Sequence, residues 1–309
     1  MENTAQKTVA SVRARIIVLV VVSVLIILNV FTFIAAYPQT LTIAPFPGGW
    51  GSLGPLGRDF SAYYIGAWRL IHDPSQVYTV GFVNDGEPQV YPHPYKYLPS
   101  FLLMVAPLLL VGYQEAFTIF DVFQLLLLPL IAYMTYKLVN KKGVAVTLIV
   151  AVLVLLQPLP LPNWGFSVTY YWQWAEGQTK VFETFLLLLS FYLGSVGKPR
   201  LSGVALALSA FDPRFAIVAL PLFVTYNKDR ILASVAALVG ALAVSNVMLL
   251  YPSLGAEFLE MSSGSGMTTP LYAYALIPLL TVVSISVVNW KEIVAAFRAL
   301  LSHSGAKEA

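Results

Sequence analysis

Long apolar runs alternate with short clusters of charge along this chain, and the alternation fixes the solvent it must fold in. The runs occupy residues 16–37, 114–139, 143–158, 178–196, 201–226, 231–250 and 270–289. At about 1.5 Å per residue the first would extend roughly 33 Å, enough to cross the hydrocarbon of a bilayer. Hydrophobic residues make up 58% of the chain and charged residues 11%, which is far from the composition of a soluble domain. In lipid the backbone must satisfy its own hydrogen bonds, so the expected fold is all-α: a polytopic membrane bundle of about eight segments.

Charge orients that bundle. Residues 1–15 carry Lys7, Arg13 and Arg15, and the positive-inside rule assigns them to the cytoplasm. No small-residue cleavage site follows a short apolar core, so the first run reads as an uncleaved span and anchor. Residues 38–58 are rich in Gly and Pro and read as an irregular external loop. Segment 98–112 is apolar but short and contains Pro107, whereas 114–139 is long and closes on Lys137, Lys141 and Lys142. Those lysines belong inside. One crossing from an external loop puts them there and two would not, so 98–112 is expected to be interfacial or re-entrant.

The run 201–226 is interrupted at Phe211-Asp212-Pro213-Arg214. Proline disrupts a helix and both charges are costly in lipid, so two short helices forming a hairpin are expected, its tip towards the external side. Residues 251–269, rich in Ser and Gly, read as an external loop. The tail at 290–301 is amphipathic, with Ile293, Val294, Phe297, Leu300 and Leu301 on one side, and suits the inner surface. The expected organisation is a cytoplasmic N-terminus (1–15), a membrane domain (16–289) with a large external loop (38–112), and a cytoplasmic tail (290–309). No internal repeat is evident, which withholds support from a repeat-built transporter.

Several chemistries are excluded or gain no support. The chain has no cysteine, which removes disulfides, thiolate catalysis, thiolate metal sites and palmitoylation. His72, His93 and His303 lie far apart without metal-ligand spacing, so neither a metal nor another cofactor is indicated. Net charge is +3 and the basic residues are scattered, so nucleic acid is not an expected partner.

The stretch Gly57-Arg58-Asp59-Phe60-Ser61-Ala62-Tyr63-Tyr64-Ile65-Gly66-Ala67-Trp68-Arg69-Leu70 stands out within the external loop. Phe60, Tyr63, Tyr64, Ala67, Trp68 and Ile71 recur at helical spacing and predict an amphipathic helix near 59–71 with one aromatic stripe. Tyr and Trp on such a stripe favour the membrane–water boundary. Asp59 stands at the entry of that helix, either as an N-cap, for which Asp is a preferred residue, or as a functional carboxylate.

Four blocks, in this order, resemble integral-membrane glycosyltransferases of the GT-C superfamily, nearest to glycosyltransferase family 87. These are Gly57-Arg58-Asp59-Phe60-Ser61-Ala62-Tyr63-Tyr64; Lys96-Tyr97-Leu98-Pro99 followed by Ala106-Pro107-Leu108; Glu176-Gly177-Gln178-Thr179; and 197–208 leading into Phe211-Asp212-Pro213. The first is similar to the family's Gly-x-Asp-Phe-x-x-Tyr-Tyr, and the third to its Gly-Gln-x-Asn. Two departures are visible: the family's Lys-Pro reads Asp212-Pro213 here, and its Asn after Gly-Gln is absent, with Thr179 or Lys180 nearest.

The resemblance implies a GT-C-like bundle whose first external loop carries two interfacial helices, near 59–71 and 98–112. It implies transfer of a sugar, mannose by family analogy, from a polyprenyl-phosphate donor to a lipid, glycan or glycoprotein acceptor on the extracytoplasmic face of the cell membrane. Single displacement would invert the anomeric centre. By the same analogy Asp59 is the general base, and a positioned base contributes about 10²–10⁴-fold. Arg58, Lys96, Lys180 and Arg214 are the candidate donor-phosphate partners, Arg as a planar fork and Lys as a point charge. For Arg58 and Lys96 the alternative is a snorkelling surface charge. For Arg214 it is an ion pair with Asp212 that neutralises both. Tyr63, Tyr64, His93, Tyr95, Glu176, Gln178 and Asp212 are candidates for the substrate pocket, with Glu176 the alternative base. A transporter or flippase of lipid-linked sugars, or a noncatalytic membrane subunit, would account for the spans equally well.

Overall fold

The computed structural model describes residues 16, 19–31, 57–79, 81, 86–88, 93–139, 142–156, 173–174, 176–246, 249, 252–263 and 276–305. Among them the regular structure is helical and no strand occurs. The helices are α1 (Leu19–Phe31), α2 (Arg58–His72), α3 (Ser100–Val105, continued as a 3₁₀ turn over Ala106–Leu110), α4 (Tyr113–Leu138) and α5 (Lys142–Leu155). They are followed by α6 (Lys180–Ser195), α7 (Pro199–Ser209), α8 (Pro213–Asn227), α9 (Ile231–Ser245), α10 (Pro252–Ser263), α11 (Leu276–Val288) and α12 (Trp290–Gly305). Prolines open α7, α8 and α10, a position where the missing N–H costs nothing and the fixed φ is already helical.

α4 carries the clearest record of its solvent. Ile119, Val122, Phe123, Leu126, Leu130 and Tyr133 are exposed along it, whereas Asp121, Gln124 and Thr135 are buried. A helix in water shows the reverse pattern. Apolar out and polar in is what a lipid surround selects, because polar groups must then find partners within the protein. α4 is also the one described helix long and apolar enough on its own to cross a membrane; Ile277–Val288 and Trp290–Ala299 pass only as a pair bent by 72°.

α6 lies at the centre, packed against α4, α7, α8 and α11. Its neighbour α7 packs on α9 with almost no gap. A Cβ placed on Gly203 would stand 2.1 Å from the Ser234 carbonyl oxygen and 2.9 Å from the Leu238 amide nitrogen, so the two backbones touch where the side chain is missing. At the opposite end of α4, the Asn289 amide donates to the Tyr226 hydroxyl (2.9 Å), and Tyr226 in turn donates to the Leu138 carbonyl (3.1 Å). That chain fastens α4, α8 and the bend before α12 together.

Several expectations hold and others need correction. The predicted helix near 59–71 is α2, and the predicted break at 211–213 divides α7 from α8. The aromatic stripe of α2 is not one-sided, however: Ser61, Ala62, Ile65, Gly66 and Arg69 are buried along with Phe60, Tyr63 and Tyr64. The reason lies in residues beyond α2. Arg69 forms a buried ion pair with Glu87 (2.7 Å) and donates to the carbonyls of Gln76, Thr79 and Gly81, which draws the following loop over the helix. The Ser- and Gly-rich stretch at 251–269 is helical over Pro252–Ser263, because Leu254 is buried and Phe258 packs on Tyr78 with ring centres 6.0 Å apart. The tail α12 buries Ile293 and Ala296 and leaves Phe297 exposed, so its buried face is rotated from the one expected. The stretch 159–177, whose Trp164, Phe166, Tyr170, Tyr171, Trp172 and Trp174 read as a strongly aromatic external loop, is described only at 173–174 and 176–177.

The α7–α9 contact gives a direct test. Gly203→Leu is expected to destabilise the purified protein by at least about 1–3 kcal/mol, the usual range for overpacking. Its thermal unfolding midpoint in detergent should fall accordingly; an unchanged midpoint would mean that the two helices do not approach this closely.

Candidate active site

Two left-handed turns bring the site together. Gly57 (φ 75°) leads the chain into α2, and Gly177 (φ 73°) leads it towards α6. Glycine adopts such a φ without strain, and here space demands it as well. A Cβ on Gly57 would lie 2.6 Å from the Tyr113 hydroxyl, and one on Gly177 would lie 2.8 Å from both Phe60 and Phe117. The Tyr113 hydroxyl donates to the Gly57 carbonyl (2.7 Å), which ties the entry of α2 to the first turn of α4.

The first amides of a helix have no partner within it. In α2 the amides of Asp59 and Phe60 donate instead to the Glu176 carbonyl, at 2.9 and 3.1 Å. Gly57 is the N-cap, and no side chain caps the helix. The N-cap reading of Asp59 is therefore replaced: its carboxylate is committed elsewhere. Gln178 Nε2 donates to Asp59 Oδ2, and His93 Nε2 lies 3.2 Å from Asp59 Oδ1. The Asp59 and His93 side chains remain 12% and 16% exposed, so the pair sits at a narrow opening.

Two other glutamines hold Gln178 in place. Gln124 Nε2 donates to the Gln178 carbonyl (3.0 Å), and Gln173 Nε2 donates to the same carbonyl (2.8 Å) and to Gln124 Oε1 (3.0 Å). The side-chain oxygens of Gln173 and Gln124 accept the first amides of α6, from Val181 and Phe182, both at 3.3 Å. The amides of one helix end and the carbonyl before it thus share one set of side chains. Gln124 and Gln173 were not singled out in the sequence; a glutamine inside the apolar run of α4 was the available signal for the first of them.

A second charged group lies on α6 and the α7–α8 turn. Lys180 Nζ is 2.9 Å from both Glu183 Oε2 and Asp212 Oδ2. Arg214 donates to Asp212 through Nε (2.8 Å) and Nη2 (2.7 Å). The Arg214–Asp212 ion pair, the alternative to a phosphate contact for Arg214, is therefore present. Lys180 is fully buried between two carboxylates, over the rings of Tyr97 (5.4 Å) and Phe215 (4.7 Å). A phosphate would have to displace a carboxylate to reach it.

The segment bearing Lys96 docks beside this turn. The Leu98 amide donates to the Phe211 carbonyl (2.9 Å), and Tyr97 meets Phe211 edge-on with ring centres 5.7 Å apart. Partial burial lowers the Lys96 ammonium from its ordinary value; the neighbouring charges of Arg58 and Arg214 push the same way, and Asp59 opposes them. The Leu98–Phe211 hydrogen bond brings the Lys96 segment beside the turn that bears Arg214. The tyrosines expected in the pocket are buried. Tyr63 and Tyr95 are buried in an aromatic cluster with Phe101 and Tyr97, the Tyr95 hydroxyl donates to the Leu98 carbonyl, and the Tyr64 hydroxyl donates to the Val111 carbonyl. The Glu176 side chain is also buried, and its backbone carbonyl does the positioning.

Residues 95–270 match the family model described as Glycosyltransferase family 87, which is more than half of the chain. No curated protein and no solved structure matches. The matched stretch contains Lys96, Gln178, Asp212 and Arg214, whereas Asp59 precedes it and is held from within it by Gln178 and the Glu176 carbonyl. With the apolar α4 and that match over most of its described core, the chain is a membrane protein with glycosyltransferase activity, and it belongs to glycosyltransferase family 87.

Proposed function

We propose that the chain transfers a sugar, mannose, from a polyprenyl-phosphate donor to an acceptor hydroxyl on the extracytoplasmic face, with Asp59 as general base. The acceptor oxygen forms the new bond to the anomeric carbon as the bond from that carbon to the phosphate oxygen breaks. The hydroxyl proton passes to the Asp59 carboxylate and the bonding electrons leave with the polyprenyl phosphate, so a single displacement inverts the anomeric centre. The observation that carries this reading is the Asp59 carboxylate itself. It is oriented through both oxygens by Gln178 and His93 at a narrow opening, and Lys96 beside it responds to Arg58, Asp59 and Arg214. A carboxylate base beside cations for a leaving phosphate is what such a displacement requires.

The membrane arrangement belongs to the same reading. About eight membrane segments, a cytoplasmic N-terminus and tail, and an external loop at 38–112 follow from the distribution of Lys and Arg. α2, with the site at its N-terminus, then lies on the outer side. The acceptor is a lipid, glycan or glycoprotein presented there. Membrane lipids surround the bundle, and the exposed apolar positions on α4 and α9 suit that contact.

Two outcomes test the assignment. Asp59→Asn keeps the shape of the side chain but cannot take the proton; transfer of radiolabelled mannose from a polyprenyl-phosphate donor by purified protein should fall by about 10²–10⁴-fold with the unfolding midpoint retained. Undiminished transfer would remove Asp59 as base, and no transfer by wild type from any polyprenyl-phosphate sugar would favour a noncatalytic subunit. The second outcome follows from Lys96. Burial and neighbouring cations disfavour its charged form, so its proton leaves at a pH below the 10.5 of a lysine in water. Neutral Lys96 attracts phosphate less, so kcat/KM for the donor should decline as pH rises, with an alkaline midpoint below that value. Lys96→Arg, whose guanidinium stays charged, should remove that limb; an unaltered pH profile would exclude Lys96 from donor binding.

A further inference from the structure

We infer that the buried chain Glu183–Lys180–Asp212 is a positioning device, which holds the Arg214 guanidinium in the orientation that receives the phosphate of the polyprenyl donor. The inference rests on the glycosyl-transfer reading of the same site and assigns roles to Glu183 and Asp212 that the family match does not supply.

The order of exposure along the chain carries the argument. The side chains of Glu183 and Lys180 are 0% exposed, that of Asp212 is 1% exposed, and that of Arg214 is 34% exposed. Three charges are thus withdrawn from solvent behind a fourth that reaches it. Buried ion pairs are weak evidence for stability, because desolvation offsets their attraction; a better-attested use is to select one geometry over others. Each link in this chain narrows the freedom of the next. Lys180 is fixed by Glu183 and by the faces of Tyr97 and Phe215. Through its 2.9 Å contact it fixes Asp212 Oδ2. Asp212 then grips the guanidinium with both oxygens, a two-point contact that sets the plane of the fork as well as its position.

The backbone stiffens the same link. Asp212 holds the N-cap position of α8 without a side-chain cap bond, and Pro213 occupies the first turn, so the residue between the two partners has a fixed φ. The docking of Leu98 on the Phe211 carbonyl brings the Lys96 segment alongside the same turn, and Lys96 responds to the charge of Arg214. Because Asp212 offsets the charge of Arg214, the fork contributes directed hydrogen bonds, and Lys96 and Arg58 contribute the attraction for an anion.

The test uses the full chain in nanodiscs and the sugar-free probe undecaprenyl phosphate, with affinity measured by titration. Asp212→Glu keeps the carboxylate beside Lys180 but moves it along a longer stem, so the protein should stay folded while Arg214 is displaced. Asp212→Glu, Asp212→Asn and Arg214→Lys should each weaken binding roughly tenfold, and Asp212→Asn combined with Arg214→Lys should be no weaker than either alone, since both remove one contact. With mannosyl donor the loss should appear in KM rather than in kcat. Wild-type affinity in Asp212→Glu and Asp212→Asn would overturn the inference and leave the glycosyl-transfer reading standing. Additive losses in the double variant would overturn it too, by separating the two residues. Failure of the wild type to bind the probe would bring down the glycosyl-transfer reading and this inference with it.

Discussion

The Glu176 carbonyl, with the amides of Asp59 and Phe60 directed at it, is the contact on which the rest of the site depends. It answers a requirement that any helix has, namely partners for its first amides. Here the partner comes from a turn more than a hundred residues away in sequence, so satisfying α2 also joins it to the entry of α6. Glycine at 57 and 177 is what allows the approach, and Phe117 of α4 fills the space left beside both. Once these three elements are joined, Gln178 is held against Asp59, and the Asp59 carboxylate is oriented by the packing of the bundle.

Around that contact, the same economy recurs wherever polar groups enter the apolar interior. Gln124 and Gln173 serve the α6 amides and the Gln178 carbonyl together. Asn289 and Tyr226 join helix ends on the other side of the bundle. Such groups are costly to bury without partners, so their locations mark where segments must meet. Among the described residues Asp121 departs from this rule: it is fully buried on α4, and neither carboxylate oxygen has a hydrogen-bond partner.

Local features of this fold were legible in the sequence, and long-range pairings were not. The period of Phe60, Tyr63, Tyr64 and Ala67 gave α2 to within a residue, and Asp212-Pro213 gave the break between α7 and α8, because both signals are read over one or two turns. The charge at the break was also legible as an ion pair. The enclosure of α2 was not, since it depends on Arg69 reaching Glu87 across the intervening loop. Nor was the fate of Lys180: a lysine at the mouth of an apolar run reads as a surface cation until Asp212, 32 residues on, is brought to it. Asp59 and Gln178, 119 residues apart, were each picked out singly, but nothing in their spacing says that they touch.

The buried charges also bear on how α6 and α8 come together. Lys180 and Glu183 face each other across one turn of α6, and Asp212 and Arg214 pair across Pro213 at the start of α8. Each segment therefore carries its own counter-ion. Only when the two segments meet does Lys180 extend its contact to Asp212 and join the two neutral pairs. The four charges of α6 and of the α8 entry thus form two pairs that each sum to zero, and folding joins pairs that are already balanced.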